Sequence, residues 1–151
     1  MRSRLIYSLI LTALGLTDMS AQKNTTSAYE DSILKIISKA GHDTVKAKYF
    51  NEMAIELRRN DPEQTINYGN KALEIYKKYN LSGGAAKSFL YIGTGYLNLS
   101  KHSEAIDCFK KAIVWGVKAG DKKTIARAYN NTGIVFIKQG NNPEALKNYL
   151  L

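Results

Sequence analysis

The sequence is poor in the residues on which cross-linked and metal-stabilised folds depend. Its 151 residues include one Cys, two His and two Pro. A lone Cys108 excludes a disulfide framework within the chain, and with only His42 and His102 beside it a Cys/His zinc site is excluded as well. The sequence contains no HExxH motif and no recognisable Ser/His/Asp or Cys/His nucleophile set. We therefore expect no catalytic residues, no metal and no cofactor.

What the sequence does have is enough apolar material for a core and an excess of positive charge. Hydrophobic residues make up 44% and charged residues 23%, which excludes wholesale disorder and fits one domain or a short repeat array. The net charge of +9 admits nucleic acid, an anionic membrane or acidic protein segments as partners. Many lysines fall outside any single stripe, so nucleic acid is not expected, and membrane attraction through them is a generic alternative.

Residues 1–21 have the layout of a secretory signal peptide. Two arginines precede an apolar stretch at residues 5–16, which is too short for a membrane-spanning helix of about 20 residues. No later apolar run reaches that length, so no transmembrane segment is expected after removal of the signal. We expect cleavage between Ala21 and Gln22, a polar leader over residues 22–29, and an exported product that is periplasmic or secreted. An uncleaved anchor or a buried core helix is the alternative.

The rest of the chain repeats itself with a period near 40 residues. One block of small and aromatic residues surrounds Phe89, and its counterparts surround Phe50 and Tyr129. A second block follows each first one at the same spacing and includes Phe109 and Tyr149. Because strand-like alternation is absent, the two blocks indicate repeated helix–turn–helix units. The predicted divisions are a half-unit helix at 30–41 and units at 44–80, 83–120 and 122–151, the last one incomplete.

Turn signals place the ends of the helices. A cation precedes Gly41, Asn80 and Gly120 by two residues, which predicts left-handed residues that end helices there. Polar residues at the opposite ends are candidate N-terminal caps, two of them before a proline. These candidates are Asp43, Asp61, Ser82, Asp121 and Asn142. The predicted helices span residues 30–40, 44–59, 62–79, 84–98, 102–119, 122–138 and 143–151.

The pattern around Gly93 resembles the tetratricopeptide repeat (TPR). From this Gly, an aromatic residue follows at +3, Ala at +12, an aromatic at +16 and Ala at +19, and the unit of Gly133 repeats the order as far as the aromatic at +16. The first unit departs from it, with Ala54, Thr65 and Gly69 in place of the Gly, the Ala and the second aromatic. The residues that carry the resemblance are Phe89, Gly93, Tyr96, Ala105, Phe109, Ala112, Gly133, Phe136, Ala145 and Tyr149.

The resemblance covers about residues 30–151 and implies an all-α fold, an α–α superhelix built as a TPR-like solenoid of antiparallel helix pairs. The period near 40 exceeds the usual length of about 34 residues. Such long-helix repeats resemble those of exported bacterial TPR proteins and of the sensor regions of TPR-containing histidine kinases and regulators.

In the TPR family the first helices of the units line a concave groove that grips a peptide or a partner's helix. Equivalent positions on these helices carry Lys48, Lys87 and Arg127, one per unit, on the side away from the Gly. This column resembles the form of the groove that grips carboxylates, with amides available for a peptide backbone. The alternative is a solvated basic face. The candidate peptide-binding residues are Lys48, Asn51, Lys87, Tyr91, Arg127, Asn130 and Asn131.

These observations predict a non-enzymatic scaffold that binds a protein or peptide. The positive charge of the column favours an acidic partner. The alternative is the N-terminal sensor region of a longer signalling protein, either a TPR histidine kinase or a transcriptional regulator. A transmembrane helix and an effector domain encoded after Leu151 would favour the sensor, whereas further repeats and a stop would favour the free scaffold.

We expect the exported protein to begin at Gln22, because signal peptidase removes a segment with this layout after a small residue. N-terminal sequencing of the protein recovered outside the cytoplasm checks this. An exported product that retains Met1 would contradict it.

Overall fold

The computed structural model describes residue 28 and residues 30–151. Within them the backbone is helical, with short turns and no strand. The helices are α1 (30–39), α2 (Asp43–Leu57), α3 (Pro62–Lys78), α4 (Ser82–Asn98), α5 (His102–Ala119), α6 (Lys122–Lys138) and α7 (Asn142–Tyr149). All seven predicted helices are present, and their bounds agree with the predicted ones to within two residues.

The chain divides into two compact units, Met1–Lys39 and Ala40–Leu151. The described part of the first unit is α1, whose Ser38 hydroxyl donates to the Lys35 carbonyl within the last turn. The second unit contains α2 to α7, and the rest of the description concerns this unit.

The helices of the second unit form two layers. Each helix packs on the next one in the chain, and turns of only two to four residues require successive helices to run antiparallel. In addition α2 contacts α4 and α4 contacts α6, whereas α3, α5 and α7 do not contact one another. The first helices (α2, α4, α6) therefore lie closer together than the second helices, and we call them the inner layer.

Four successive helices end in the same way. The residue one or two positions after the helix is left-handed in each case: Asn80, Ser100, Gly120 and Gly140, with φ of 52°, 58°, 67° and 74°. In each case the next amide donates to the carbonyl five residues back, at 2.8 to 2.9 Å, which is the Schellman arrangement. The prediction is confirmed for Asn80 and Gly120. It is wrong for Gly41, which does not adopt positive φ.

The N-terminal caps are only partly those predicted. Asp61 and Asp121 accept hydrogen bonds from the amides of Gln64 and Thr124, at 2.9 and 3.0 Å. Asn142 was the wrong asparagine, because Asn141 caps α7 by accepting from the Glu144 amide at 3.3 Å. Asp43 and Ser82 are not caps either. They are the first helical residues, and the preceding His42 and Leu81 make no capping bond with their side chains.

Asp43 instead links two helices. Its carboxylate accepts hydrogen bonds from Lys78 Nζ at 3.0 Å and from the Tyr79 hydroxyl at 3.1 Å. The Lys78 bond, followed by the Tyr79 bond, lowers the pKa of Asp43. The start of α2 is thus tied to the end of α3.

The core depends on a close approach between α4 and α5. A Cβ at Gly93 would lie 2.6 Å from the Phe109 ring, so no side chain fits there without displacing that ring. Phe109 is completely buried, as are Ala105 and Ala112 on the same helix. The same contact recurs one repeat later, where a Cβ at Gly133 would lie 2.5 Å from the Tyr149 ring.

The first unit fills the space between its helices with different residues. Gly69 stands where Phe109 stands in the second unit, and the Ile92 side chain of α4 fills the space, 2.6 Å from a Cβ built at Gly69. Ala54, in the position of Gly93, is completely buried, and so is Thr65. The departures from the repeat pattern are therefore compensated by a residue of the next unit.

We expect Phe109→Ala to lower the free energy of unfolding by about 3–5 kcal/mol, because it empties the completely buried contact between α4 and α5. Urea denaturation followed by circular dichroism measures this. Val117→Ala on the same helix is the control, since Val117 is 65% exposed and its change should stay within about 0.5 kcal/mol. Similar losses for both variants would refute this description of the core.

Candidate functional site

The residues of the predicted basic column lie on the helices of the inner layer. Lys48 lies on α2, Lys87 on α4 and Arg127 on α6, and these helices are neighbours. The lysines are exposed and Arg127 is half-buried. None of the three belongs to the core, so their charged groups are available to a partner.

Lys48 shares its charge with a carboxylate that the sequence analysis had not included. Its Nζ lies 3.8 Å from Glu52 Oε1, an i,i+4 ion pair with both side chains largely exposed, at 70% and 42%. Such pairs are weak, so Lys48 can exchange Glu52 for another carboxylate. Burial raises the pKa of Tyr76, and the nearby charges of Glu52 and Tyr91 raise it further. Glu52 of α2 therefore lies near Tyr76 of α3, as does Tyr91 of α4.

Arg127 is placed by an aromatic ring of the preceding repeat. Its guanidinium carbon lies 5.8 Å from the centroid of the Tyr91 ring, within the range of cation–π attraction. On the same pair of helices, Asn131 Nδ2 donates to Thr94 Oγ1 at 3.3 Å. The structure therefore brings Arg127, Tyr91 and Asn131 together across the boundary between α4 and α6.

Lys87 has an acidic neighbour of its own. The pKa of Asp121 is lowered, mainly by hydrogen bonds from Thr124 and to a smaller extent by the charge of Lys87. Because Asp121 already caps α6, its carboxylate is directed at the helix end. Lys87 itself is exposed and forms no ion pair among the described residues.

One predicted site residue has a different role. Asn51 is only 6% exposed, and its amide is used inside the structure. Its Oδ1 accepts from the buried Ser88 hydroxyl at 2.9 Å, and its Nδ2 donates to the Gly84 carbonyl at 3.4 Å. Asn51 therefore links α2 to α4, and both polar atoms of its amide are already hydrogen-bonded. Asn130, in the equivalent position of the third unit, is exposed.

One cluster of titratable side chains lies on α5. A cleft of about 370 Å³ beside α5 brings together Glu104, Asp107, Cys108 and Lys111. Asp107 is held by Lys111 Nζ at 2.6 Å. Burial, and then the charge of Asp107, raises the pKa of Cys108 to about 11, so its thiol stays protonated at neutral pH. A protonated thiol without a neighbouring base is a poor nucleophile.

The described residues contain neither a candidate metal site nor a candidate membrane-spanning helix. No group of three or more His, Cys, Asp or Glu in this part of the chain is arranged to hold a metal ion. No helix between residues 28 and 151 is long and apolar enough to cross a membrane. The predicted cleavage site, Ala21 and Gln22, lies outside the described residues.

The fold is similar to that of solved TPR-like proteins. The TPR domain of Arabidopsis FLU is 18% identical with a TM-score of 0.66, over 72% of this chain and 92% of that one. A Rap protein complexed with competence and sporulation factor is 22% identical with a TM-score of 0.74, over 85% of this chain. The Rap conjugation gene regulator of plasmid pLS20, in complex with the Phr* peptide, is 24% identical with a TM-score of 0.72, over 82% of this chain.

These likenesses show the fold: the chain is a TPR-like array of helix pairs. It spans 37% and 34% of the lengths of the two Rap chains. No protein-family model matches the sequence, and no curated protein matches it.

We expect the Cys108 thiol to react with iodoacetamide at pH 8 at least about 100-fold more slowly than free cysteine, because its raised pKa reduces the thiolate fraction by that factor. Mass spectrometry of timed samples measures the rate. The protein unfolded in guanidinium is the control and should react like a free thiol. A native rate equal to that of free cysteine would show that Cys108 is exposed and ionised.

Proposed function

We propose that this chain is a non-enzymatic scaffold that binds a protein or peptide in the groove formed by α2, α4 and α6. The observation that carries the proposal is the column of Lys48, Lys87 and Arg127, one per repeat, on the inner layer and outside the core. A peptide lying across the three helices would meet one cation from each. Regular spacing of cations fits a ligand with several carboxylates along its length.

The three cations offer different modes of contact. Arg127 presents a planar group that can bind a carboxylate through two parallel hydrogen bonds, and the Tyr91 ring already restricts its position. Lys87 offers an exposed ammonium. Lys48 is partly neutralised by Glu52 at 3.8 Å, so a ligand carboxylate would compete with Glu52 there. Because of this competition, Glu52 lowers the affinity of the groove for acidic ligands.

The remaining groove residues favour an extended backbone. Asn130 is exposed, so its amide can donate to and accept from a peptide bond. Tyr91 is half-buried beside Arg127 and offers a flat apolar surface to a ligand side chain. Asn131 already donates to Thr94, and its amide oxygen faces no hydrogen-bond donor among the described residues.

The known structures support a peptide ligand without naming it. Two of the proteins with this fold were solved with a bound signalling factor or peptide, the competence and sporulation factor and the Phr* peptide. By analogy of fold, the present chain is proposed to receive a peptide or a partner segment. The same analogy supports the alternative that residues 30–151 are the sensor region of a longer signalling protein. Sequencing the gene beyond the codon for Leu151 distinguishes a free scaffold from a sensor.

The proposed location is outside the cytoplasm, and it rests on the signal-like layout of residues 1–21. This part of the proposal is independent of the groove. A cytoplasmic location would leave the binding surface unchanged and would alter only the set of available partners.

We expect Lys48→Glu combined with Arg127→Glu to weaken binding of a fluorescent, extended Asp/Glu-rich peptide by at least about 100-fold, because two charge-assisted hydrogen bonds become repulsions. Fluorescence anisotropy measures the affinity. Glu52→Gln should have the opposite effect and tighten binding, since it frees Lys48 from its carboxylate.

The matched control is Lys101→Glu combined with Lys138→Glu, which changes the net charge equally. Both lysines are exposed, Lys101 in the turn before α5 and Lys138 as the last residue of α6, eleven residues from Arg127. The control should bind almost like the unaltered protein at physiological salt, because charges beyond about 8 Å are largely screened. Equal loss in both double variants, or unchanged affinity in the groove variant, would refute the groove.

A further inference from the structure

The lysines that look scattered in the sequence meet at one edge of the array. This edge is formed by the ends of α3 and α5 and by the starts of α4 and α6. We call it the basic edge. Its members are Lys77, Leu81, Val117, Lys118, Lys122 and Lys123, all of them exposed.

Buried and half-buried aromatic rings hold two of these lysines in place. Lys77 Nζ lies 6.0 Å from the centroid of the Phe89 ring, and Lys118 Nζ lies 4.9 Å from that of Trp115. The two rings are themselves in contact, with centroids 6.5 Å apart. Lys77 of α3 and Lys118 of α5 are therefore supported by one continuous aromatic pair, and their charged ends share a surface.

The backbone brings the two turns of the edge together. A Cβ at Gly83, at the start of α4, would lie 3.7 Å from Ala119 Cβ, at the end of α5. Leu81 precedes Gly83 by two residues, and Lys122 follows Ala119 by three. The turn between α3 and α4 thus adjoins the turn between α5 and α6.

The charge of the basic edge is not neutralised within the described structure. No carboxylate of residues 28 or 30–151 forms an ion pair with Lys77, Lys118, Lys122 or Lys123. The nearest acidic residue in sequence, Asp121, is directed at Thr124, from which it accepts two hydrogen bonds. Lys78 differs from its neighbours because it is paired with Asp43.

The opposite edge of the array provides an internal comparison. Residues 75–84 and 115–124, around the turns of the basic edge, contain five Lys and one Asp. The turns at the other edge are surrounded by four Lys or Arg and five Asp or Glu, counted over residues 55–64, 96–105 and 136–145. The excess of positive charge is therefore concentrated on one edge.

Exposed apolar side chains lie among these lysines. Val117 is 65% exposed and Leu81 is 40% exposed, and both sit at the ends of helices where the chain turns. We propose that the basic edge docks on the surface of an anionic lipid bilayer. The lysines would approach the headgroups, and Leu81 and Val117 would enter the boundary with the acyl chains.

The surface fits a bilayer better than it fits a nucleic acid. Single-stranded nucleic acids need exposed aromatic platforms, whereas Phe89 is 8% exposed and the half-buried Trp115 ring is covered by Lys118. Contact with a phosphate backbone does not remove isolated aliphatic side chains from water, whereas an apolar interface does, and that burial is favourable in free energy. None of Lys48, Lys87 and Arg127 is a member of the basic edge, so these three cations are not required for docking on a bilayer.

The test is co-sedimentation of the full chain with vesicles of phosphatidylcholine containing about 30 mol % phosphatidylserine, compared with vesicles of phosphatidylcholine alone. We expect binding to the anionic vesicles that falls as salt increases. Lys118→Glu/Lys122→Glu/Lys123→Glu should reduce the partition coefficient at least about 100-fold, at roughly fivefold for each lysine removed from an anionic surface. Glu at positions 122 and 123 suits the first turn of α6, so this variant is expected to fold.

The matched control is Arg59→Glu/Lys101→Glu/Lys138→Glu, which makes the same change of net charge at the opposite edge and should keep most of the binding. The apolar residues 5–16 are present in every variant, so they cannot account for a difference between them. A further variant, Leu81→Ser/Val117→Ser, should lose vesicle binding while the groove still binds its peptide.

Three results would overturn the proposal. The first is absence of binding to anionic vesicles, or binding that is equal on neutral ones. The second is equal loss in both triple variants, which would indicate a general effect of net charge. The third has two parts: Leu81→Ser/Val117→Ser binds anionic vesicles as well as the unaltered protein does, and the protein binds a DNA duplex as well as it binds the vesicles. That result would indicate binding to any polyanion.

Discussion

The architecture depends on how closely the two helices of a pair approach each other. At position 93 the space between α4 and α5 has no room for a Cβ, because the Phe109 ring lies 2.6 Å from where it would be. This contact lets a large aromatic residue be completely buried between two helices that are nearly in backbone contact. The close pairing sets the distance between the layers, and the layers determine which faces remain outside the core.

The inner layer is further fixed by a buried polar link. Asn51 on α2 accepts from Ser88 on α4 at 2.9 Å, and its Nδ2 donates to the carbonyl of Gly84. A buried amide is tolerated only when its hydrogen bonds are made, so the link holds the two helices in one register. The relative positions of Lys48 and Lys87 are set by that register. Asn51 thus acts as a structural link between α2 and α4.

The sequence was sufficient for the parts of the fold that follow from periodicity and turn chemistry. The 40-residue repeat, the helix bounds and the left-handed Asn80 and Gly120 all follow from local patterns. Ser100 was not predicted to be left-handed, because serine carries no local signal for that conformation and the Schellman bonds impose it.

The remaining differences arise from contacts between repeats. Ile92 fills the space left by Gly69, and no pattern within one unit reveals it. Asn51 was expected in the groove because it shares a repeat position with the exposed Asn130. Its burial depends on a hydrogen bond with Ser88, 37 residues away, whereas the equivalent Asn130 of the third unit is exposed. The ion pair of Lys48 with Glu52 had a local signal, the i,i+4 spacing, that the analysis of the column did not use.

The positive charge of the protein therefore has two distinct physical settings. Each cation of the column has a carboxylate or an aromatic ring nearby. Glu52 lies near Lys48, Asp121 near Lys87 and the Tyr91 ring beside Arg127. Partial neutralisation lowers long-range attraction and favours ligands that present carboxylates at matching positions. At the basic edge the lysines stand over aromatic rings or free in solvent, without carboxylate partners among the described residues. Such an uncompensated surface attracts over about a Debye length and discriminates little between anionic targets, so the apolar Leu81 and Val117 must supply the preference for a bilayer.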